Sequence, residues 1–186
     1  MILGYSQKFL PKLAVPAIRT FPSIAWMMPL PHPLWGNLTL LQTPHKNYTT
    51  SELKQLMKDI KAPVLESVWD AVRNRVGSSS YADPGVKVFC GYANDTKTAL
   101  QVRLDGPVGR DDGHVISSTW GDGTVNVGSL GWCTKWASTL KHSTYQFGGS
   151  LAAHTEIIQF PPVIQDVIAW MEGLELGDMV EHVEVG

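Results

Sequence analysis

Residues 121–125 have the sequence Gly121-Asp122-Gly123-Thr124-Val125, and they follow a run of β-forming residues at His114–Trp120. The run is rich in β-branched and aromatic side chains, so it predicts a strand that ends directly before the turn. An aspartate at such a strand end can be held rigidly, with its carboxylate pointing out of the sheet. Because Asp-Gly pairs are also common as plain turn formers, Asp122 alone leaves a purely structural role open.

A histidine follows this turn in an order that suggests a shared chemical role. His154 lies after a glycine-containing loop and before an apolar, helix-like segment. In α/β-hydrolases the catalytic aspartate precedes the histidine along the chain, and it orients the histidine and stabilises its charged form. Asp122 and His154 follow that order. The structural alternative for His154 is a packed residue near a helix start.

The serine of such a triad is not found where it is expected. A Gly-x-Ser-x-Gly elbow should precede the aspartate, and the chain before Asp122 contains none. Gly4–Lys8 and Gly77–Tyr81 each lack the final glycine. Gly148–Ala152 is nearer in pattern, but it follows the aspartate and its serine lies only four residues before the histidine. The backbone of so short a segment makes it a poor nucleophile elbow for that histidine.

Size and composition indicate one ordered, loop-rich globular protein. The 186 residues include 15 Lys and Arg against 17 Asp and Glu, so no basic surface for nucleic acid is predicted. Seven Trp, 12 Pro and 17 Gly with few charges are typical of an ordered fold rather than a disordered chain. No apolar run is long enough to predict a transmembrane helix. Residues 1–18 lack the order of charged, apolar and small residues of a signal peptide, so none is predicted.

Two cysteines and three glycosylation sequons bear on the compartment. From the sequence alone, Cys90 and Cys133 are equally compatible with two buried free thiols and with one disulfide. Asn-x-Thr sequons occur at Asn37, Asn47 and Asn94. Three sequons in a short chain favour the secretory route, where sugars are added and disulfides persist. That route in turn favours the bonded form of the cysteines.

The first half of the chain predicts loops, one strand and two helices. Six prolines interrupt residues 1–36, and the apolar segment Phe21–Pro29 is predicted as a loop that packs on another part of the protein. Leu38–Thr43 is predicted as a short strand. A Thr-x-x-Glu capping box predicts a helix start at Thr49, and apolar residues at helical spacing continue it. A second helix is predicted from Pro63.

The second half predicts the closing section of an α/β sheet. Strands are predicted at Val86–Tyr92, Thr98–Leu104 and His114–Trp120, a helix-like run at Val127–Thr139, and a last amphipathic helix through Ile164–Met171. Strands followed by helices in this way fit an α/β fold. We therefore predict two regions: Pro-rich loops and helices over residues 1–85, and strands carrying Asp122 and His154 over residues 86–186.

Jointly, these segments resemble the C-terminal part of the lecithin:cholesterol acyltransferase family, closest to its lysosomal phospholipase A2-like branch. The resemblance covers roughly residues 15–172. It is carried by Gly121–Val125, Ser129-Leu130, Cys133, Trp136 and His154, with Pro22–Trp26, Thr43–Thr49 and Val88–Tyr92 as further matching segments. The separation of Asp122 from His154, 32 positions, and of Cys90 from Cys133, 43 positions, is the specific part of the match.

The resemblance implies a partial α/β-hydrolase fold, with C-terminal strands and helices of the core and part of the cap region that shapes a lipid pocket. It implies that Asp122 and His154 are the acid and base of a Ser-Asp-His triad. It also implies a Cys90–Cys133 disulfide and a glycosylated Asn47. No metal or organic cofactor is implied.

The implied function is acyl transfer on glycerophospholipid esters, as the C-terminal portion of a lipid O-acyltransferase or phospholipase A. The implied partners are phospholipid substrate and a membrane or lipoprotein surface, and the implied location is lysosomal or extracellular. The family's serine elbow, oxyanion loop and lid are missing from this chain, so the chain alone is expected to be inactive, and to aggregate through an unpaired sheet edge. The alternative is a short, non-catalytic homologue that binds lipid or a hydrolase partner. The tryptophans alone suggest a third class, a secreted glycan-binding domain.

Overall fold

A computed structural model describes residues 17, 19–31, 34–76, 82–106, 108, 113–148 and 153–173. The helices are α1 (Pro22–Met27), α2 (Leu53–Asp59), α3 (Pro63–Val76), α4 (Val127–Leu130), α5 (Ala153–Glu156) and α6 (Pro161–Glu172). The strands are β1 (Thr39–Gln42), β2 (Asn47–Thr49), β3 (Val88–Ala93), β4 (Thr96–Leu104), β5 (Gly113–Gly121) and β6 (Thr139–Tyr145). Short 3₁₀ helices occupy Thr50–Glu52, Gly131–Lys135 and Ile157–Gln159.

The chain divides into two compact units. Unit 1 comprises residues 1–82 and 98–119, and unit 2 comprises residues 83–97 and 120–186. The strands form a mixed sheet in the order β2-β1-β4-β5 and a two-stranded sheet of β3 and β6. In the larger sheet β1 pairs antiparallel with β2 and parallel with β4. The fold is therefore of the α/β class, as the sequence predicts.

The core of unit 1 comes from apolar residues at helical spacing on α2 and α3. Leu53, Leu56 and Met57 of α2 are buried, and so are Leu65, Trp69 and Val72 of α3. They pack with apolar residues of β1, β4 and α1 into one cluster. The predicted start of the first helix is also observed, since the Thr49 amide donates to the Glu52 carboxylate at 3.1 Å. The sequence prediction of these two helices is confirmed.

Unit 2 is built on the parallel pair of β3 and β6, with α6 packed against it. Cys90 pairs with His142 and Ala93 with Tyr145 across the two strands. The rings of Phe89 on β3 and Trp170 on α6 stack, with their centroids 5.1 Å apart. Parallel pairing requires a long crossover, and here the crossover contains β4, β5 and the Asp122 turn.

Two of the sequence predictions about secondary structure are wrong. Phe21–Pro29 contains the helix α1 instead of the predicted loop. The first residue of α1 is a proline, and at that position its missing N–H costs no helical hydrogen bond. The helix-like run Val127–Thr139 ends as an α-helix at Leu130, before Gly131, and continues as a 3₁₀ helix to Lys135. Gly131 favours this end of the α-helix, because glycine has a low helix propensity. After three intervening residues, Thr139–Tyr145 form β6, a strand that the sequence analysis missed.

The other predicted elements are confirmed with shifted ends. The strands β1, β3, β4 and β5 lie within two or three residues of their predicted bounds, and α6 contains the predicted last helix. This helix is apolar on more than one side. Ala169 is buried, but Ile164, Ile168 and Met171 are 44%, 50% and 83% exposed. Among the described residues, no helix is both long and apolar enough to cross a membrane.

The two-region division at residues 85 and 86 remains a prediction, as do the cap role of the first region and aggregation of the isolated chain.

Trp69 provides a test of the unit 1 core. Its side chain is 1% exposed, so Trp69→Ala should lower the free energy of unfolding by about 3–5 kcal/mol through a lost contact surface and a cavity. Trp26 is 53% exposed, and Trp26→Ala should change the unfolding free energy by about 0.5 kcal/mol or less. Denaturant unfolding followed by circular dichroism measures both. Equal effects of the two substitutions would contradict this packing.

Candidate active site

Asp122 lies directly after β5, in a turn that fixes its carboxylate. One carboxylate oxygen, Oδ1, accepts the backbone N–H groups of Thr124 and Val125 at 2.8 and 2.6 Å. Gly123 has φ of +90°, a left-handed conformation that glycine adopts without strain. The Asp122 amide donates to the Val125 carbonyl at 3.2 Å, which closes the turn. The side chain is therefore anchored by its own loop, as the Gly-Asp-Gly sequence predicts.

The backbone on either side of Asp122 is also held in place. Asp122 forms a parallel bridge with Thr96 at the start of β4, and Gly121 forms an antiparallel bridge with Asn126. Asp122, Thr96 and Asn126 are all buried. A buried carboxylate is costly unless its oxygens have hydrogen-bond donors, so this position demands a partner for the second oxygen.

His154 supplies that partner. Its ring nitrogen Nδ1 lies 2.7 Å from Oδ2 of Asp122. The Asp122 side chain is 6% exposed and the His154 side chain 42% exposed. An ionised carboxylate only accepts hydrogen bonds, so Nδ1 carries the proton and donates it. In neutral His154 this leaves Nε2 unprotonated and able to accept a proton from a third group.

This arrangement matches the chemistry of an acid–base pair. An aspartate in this position can fix the ring orientation and the tautomer of a histidine, and its charge can stabilise an imidazolium that forms when the other ring nitrogen takes a proton. The structure thus brings together the two residues that the sequence analysis singled out. They lie on separate segments, since His154 belongs to the short helix α5 and the aspartate to the end of β5.

A disulfide joins the second predicted pair, Cys90 and Cys133. Cys90 in the middle of β3 is bonded to Cys133 in the 3₁₀ helix after the Asp122 turn, with their Cα atoms 6.0 Å apart. The same 3₁₀ helix approaches β3 at Gly131, where a Cβ atom would come within 3.2 Å of the Tyr92 hydroxyl. The bond and this close contact both tie the segment that follows the aspartate to β3.

The three sequon asparagines occupy surface or near-surface positions. Asn37 lies in an exposed turn before β1, Asn47 begins β2 and is exposed, and Asn94 lies partly buried between β3 and β4. Glycosylation at each remains a prediction.

The three segments considered as serine elbows lie wholly or mostly outside the described residues. Gly4–Lys8 lies outside the described residues, as do residues 77–81 and 149–152 of the other two segments. Within the described part of the chain, no group of three or more His, Cys, Asp or Glu side chains is gathered that could hold a metal ion.

Tyr145 and Asp166 were missed by the sequence analysis. The buried Tyr145 hydroxyl at the end of β6 donates to Oδ2 of Asp166 on α6 at 2.6 Å. Burial, and then the hydrogen bond to Asp166, raise the pKa of Tyr145 well above its usual range. The β-forming residues Thr139, Thr144 and Tyr145 at the ends of this stretch were the signal for the strand.

Comparison with known proteins gives a distant similarity to one kind of enzyme. The chain is 27% identical over 125 residues to the lysosomal phospholipase A and acyltransferase of Mus musculus, covering 67% of this chain and 29% of that protein. The Homo sapiens protein of the same name gives the same values. The Bos taurus protein is 27% identical over 124 residues, covering 66% of this chain and 29% of the relative. No protein-family model matches the chain. The chain spans less than a third of the length of these relatives.

The disulfide gives a prediction about stability. The bond closes a loop of 43 positions, so its reduction should lower the unfolding free energy by about 4 kcal/mol by releasing the unfolded chain. Denaturant unfolding with and without dithiothreitol measures this change. The double variant Cys90→Ser with Cys133→Ser is the control, because its stability should not respond to the reductant. A wild-type chain that is equally stable in both conditions would contradict the bond.

Proposed function

We propose that this chain carries the acid and base of a Ser-Asp-His acyl-transfer reaction on glycerophospholipid esters. The observation that carries the proposal is the 2.7 Å contact between Nδ1 of His154 and the buried carboxylate of Asp122. The distant similarity to lysosomal phospholipase A and acyltransferase supports the lipid substrate class. The chain would be the C-terminal portion of a lipid O-acyltransferase or phospholipase A of the lecithin:cholesterol acyltransferase type.

The fold supports this proposal through the position of the pair. The aspartate follows a strand and the histidine follows it in the chain on a separate helix, as in the α/β-hydrolase arrangement. We assign residues 86–186 to the end of such a hydrolase core and residues 1–85 to part of its cap. Asp122 and His154 would then face a serine supplied by polypeptide other than these 186 residues, because the chain contains no Gly-x-Ser-x-Gly elbow.

The reaction follows from the tautomer that Asp122 imposes. Nε2 of His154 removes the proton from the serine hydroxyl as its oxygen attacks the ester carbonyl of the phospholipid. The imidazolium then gives that proton to the departing lysophospholipid oxygen, and an acyl-serine remains. In the second half, Nε2 deprotonates water or a lipid alcohol, whose oxygen attacks the acyl group. The imidazolium then returns that proton to the serine oxygen as its bond to the acyl carbon breaks. Oxyanion donors would come from the same polypeptide as the serine.

The proposed location is the lysosome or the extracellular fluid, reached through the secretory route. The relatives are named as lysosomal proteins, and the Cys90–Cys133 bond fits an oxidising compartment. The substrate would be presented at a membrane or lipoprotein surface. These proposals concern where the acid–base pair works and leave its chemistry unchanged.

One observation favours the second candidate, a non-catalytic homologue that binds lipid or a hydrolase partner. The helix α6 exposes Ile164, Ile168 and Met171 while its opposite side packs on unit 2. Apolar residues exposed together on one helix are a feature of binding surfaces. In that case Asp122 and His154 would be retained only as a structural contact.

The first consequence is that the isolated chain does not hydrolyse phospholipid esters. It has an acid and a base but lacks the nucleophile and the oxyanion donors, so turnover of a fluorogenic phospholipid should equal that of a His154→Ala control. Hydrolysis by the wild-type chain that is lost in this control would contradict the proposal, since it would require a serine within these 186 residues.

The second consequence concerns a chimera of the Mus musculus relative in which this chain replaces the 125 matching residues. The chimera should release fatty acid from phospholipid liposomes. Asp122→Asn and His154→Ala should each lower kcat by about 10⁴-fold, because the serine loses its oriented base.

A second His–Asp contact in the chain provides matched controls. His114 and Asp105 lie 3.0 Å apart, but both side chains are more than 60% exposed. His114→Ala and Asp105→Asn should leave kcat within about twofold, since surface pairs contribute little. A folded chimera that is inactive, or one whose activity survives His154→Ala, would reject the catalytic role and favour the binding alternative.

A further inference from the structure

We propose that Asp95 is a positioning residue that holds the His154 segment against Asp122. Its importance for turnover rests on the proposed function, whereas its effect on the histidine–aspartate contact can be measured without any activity. Asp95 lies between β3 and β4. It acts on the position of His154 through Phe147, whose ring packs on Phe160, six residues after the histidine.

Asp95 and its neighbour Thr96 contact both halves of the site. Thr96 forms the parallel backbone bridge with Asp122. Oδ2 of Asp95 accepts the backbone N–H of Phe147 at 2.6 Å. Phe147 follows the end of β6 and begins the segment that carries His154. Two adjacent residues therefore contact both parts of the site: Thr96 contacts Asp122, and Asp95 contacts Phe147.

The far end of the histidine segment returns to the same place. The rings of Phe147 and Phe160 lie 4.4 Å apart between centroids, and Tyr145 meets Phe160 edge to face at 6.4 Å. His154 lies in the chain between these two phenylalanines. Phe160 is thereby held beside the end of β6, six residues after His154, which reduces the number of positions that the imidazole can occupy.

The helix α6, which begins directly after Phe160, also holds Phe160 in place. Directly after it comes α6, which is tied to the end of β6 by the hydrogen bond from the Tyr145 hydroxyl to Asp166. The Phe160 amide donates to the Ile157 carbonyl at 3.3 Å, so the chain between His154 and the aromatic contact is short and ordered. The ring contact of Phe160 with Phe147 holds the C-terminal side of the histidine segment in place. The hydrogen bond to Asp95 holds Phe147, on its N-terminal side.

The hydrogen bond from the Phe147 amide to the Asp95 carboxylate is strong enough to hold Phe147 in place. A carboxylate that accepts an N–H forms a charge-assisted hydrogen bond, which is shorter and stronger than a neutral one. Asp95→Ala removes the acceptor and leaves the partly buried Phe147 amide without this carboxylate. Asp95→Asn keeps a carbonyl oxygen that can accept the same N–H, so it should largely restore the position of the segment.

The test uses the complete 186-residue chain with ¹⁵N-labelled histidine. In the wild type, the Nδ1 proton of His154 should give a downfield NMR resonance, because it is donated to a carboxylate. Loss of this resonance in Asp122→Asn and in His154→Gln assigns it. Asp95→Ala should weaken the resonance and raise hydrogen exchange of the peptide spanning residues 147–160 by about tenfold, which is the expected size for a lost hydrogen bond to a charged group.

Asp83 supplies a matched control in the same unit. Its carboxylate also accepts a backbone N–H, that of Ser138 at 2.8 Å, but it has no described contact with the histidine segment. Asp83→Ala should leave the Nδ1 resonance and the exchange of residues 147–160 unchanged. If Asp95→Ala unfolds the chain, Asp95→Asn decides. Retention of at least half the wild-type resonance supports the positioning role, and loss equal to that in Asp122→Asn overturns it.

The proposal is overturned if Asp95→Ala leaves both signals at wild-type values, or if Asp83→Ala changes them as much. This outcome is distinct from failure of the proposed function. An inactive chimera combined with a resonance that depends on Asp95 would reject catalysis and keep the positioning role. An active chimera with a resonance indifferent to Asp95 would reject the positioning role alone.

Discussion

The structure of unit 2 depends on the need to satisfy one buried carboxylate. Asp122 is almost inaccessible, and a buried carboxylate without donors is costly enough to change its protonation or unfold its surroundings. Two amides of its own turn satisfy Oδ1, and the ring of His154 satisfies Oδ2. The turn can form these bonds alone, whereas the histidine must be brought from a distant part of the chain. The rest of the unit can be understood as the means of bringing it there.

Several independent ties converge on the strands β3 and β6. The disulfide holds the segment after the aspartate to β3, and the bridge from Thr96 holds the aspartate itself beside β4. The Asp95 carboxylate and the Phe147–Phe160 contact hold the two ends of the histidine segment at the end of β6. These contacts are covalent, polar and aromatic, and they do not depend on a large apolar core. A small unit whose described residues include few buried aliphatic side chains can thereby position two polar groups to within hydrogen-bond distance.

The sequence predicts those features that depend on local patterns. The helices α2 and α3 follow from apolar spacing and a capping box, and the Asp122 turn follows from two glycines after a β-forming run. The strand β6 was missed because the helix-like run was extended to Thr139, although Gly128 and Gly131 weaken a helix there. Asp95 was invisible to the sequence because its partner, the Phe147 amide, lies 52 positions away and has no side-chain signature. Local propensity cannot predict contacts that are set by tertiary pairing.

The central chemical claim is that the Asp122–His154 pair activates a serine. The most direct measurement is the rate at which a fluorophosphonate phosphonylates the serine that the proposal requires in the remainder of the enzyme, with this chain in place of the matching residues of the Mus musculus relative. Phosphonylation needs an activated nucleophile but no lipid binding, so it isolates the acid–base pair. We predict rapid labelling that falls by about 10³-fold in His154→Ala, in the range expected for loss of a general base. Equal labelling with and without the imidazole would contradict it.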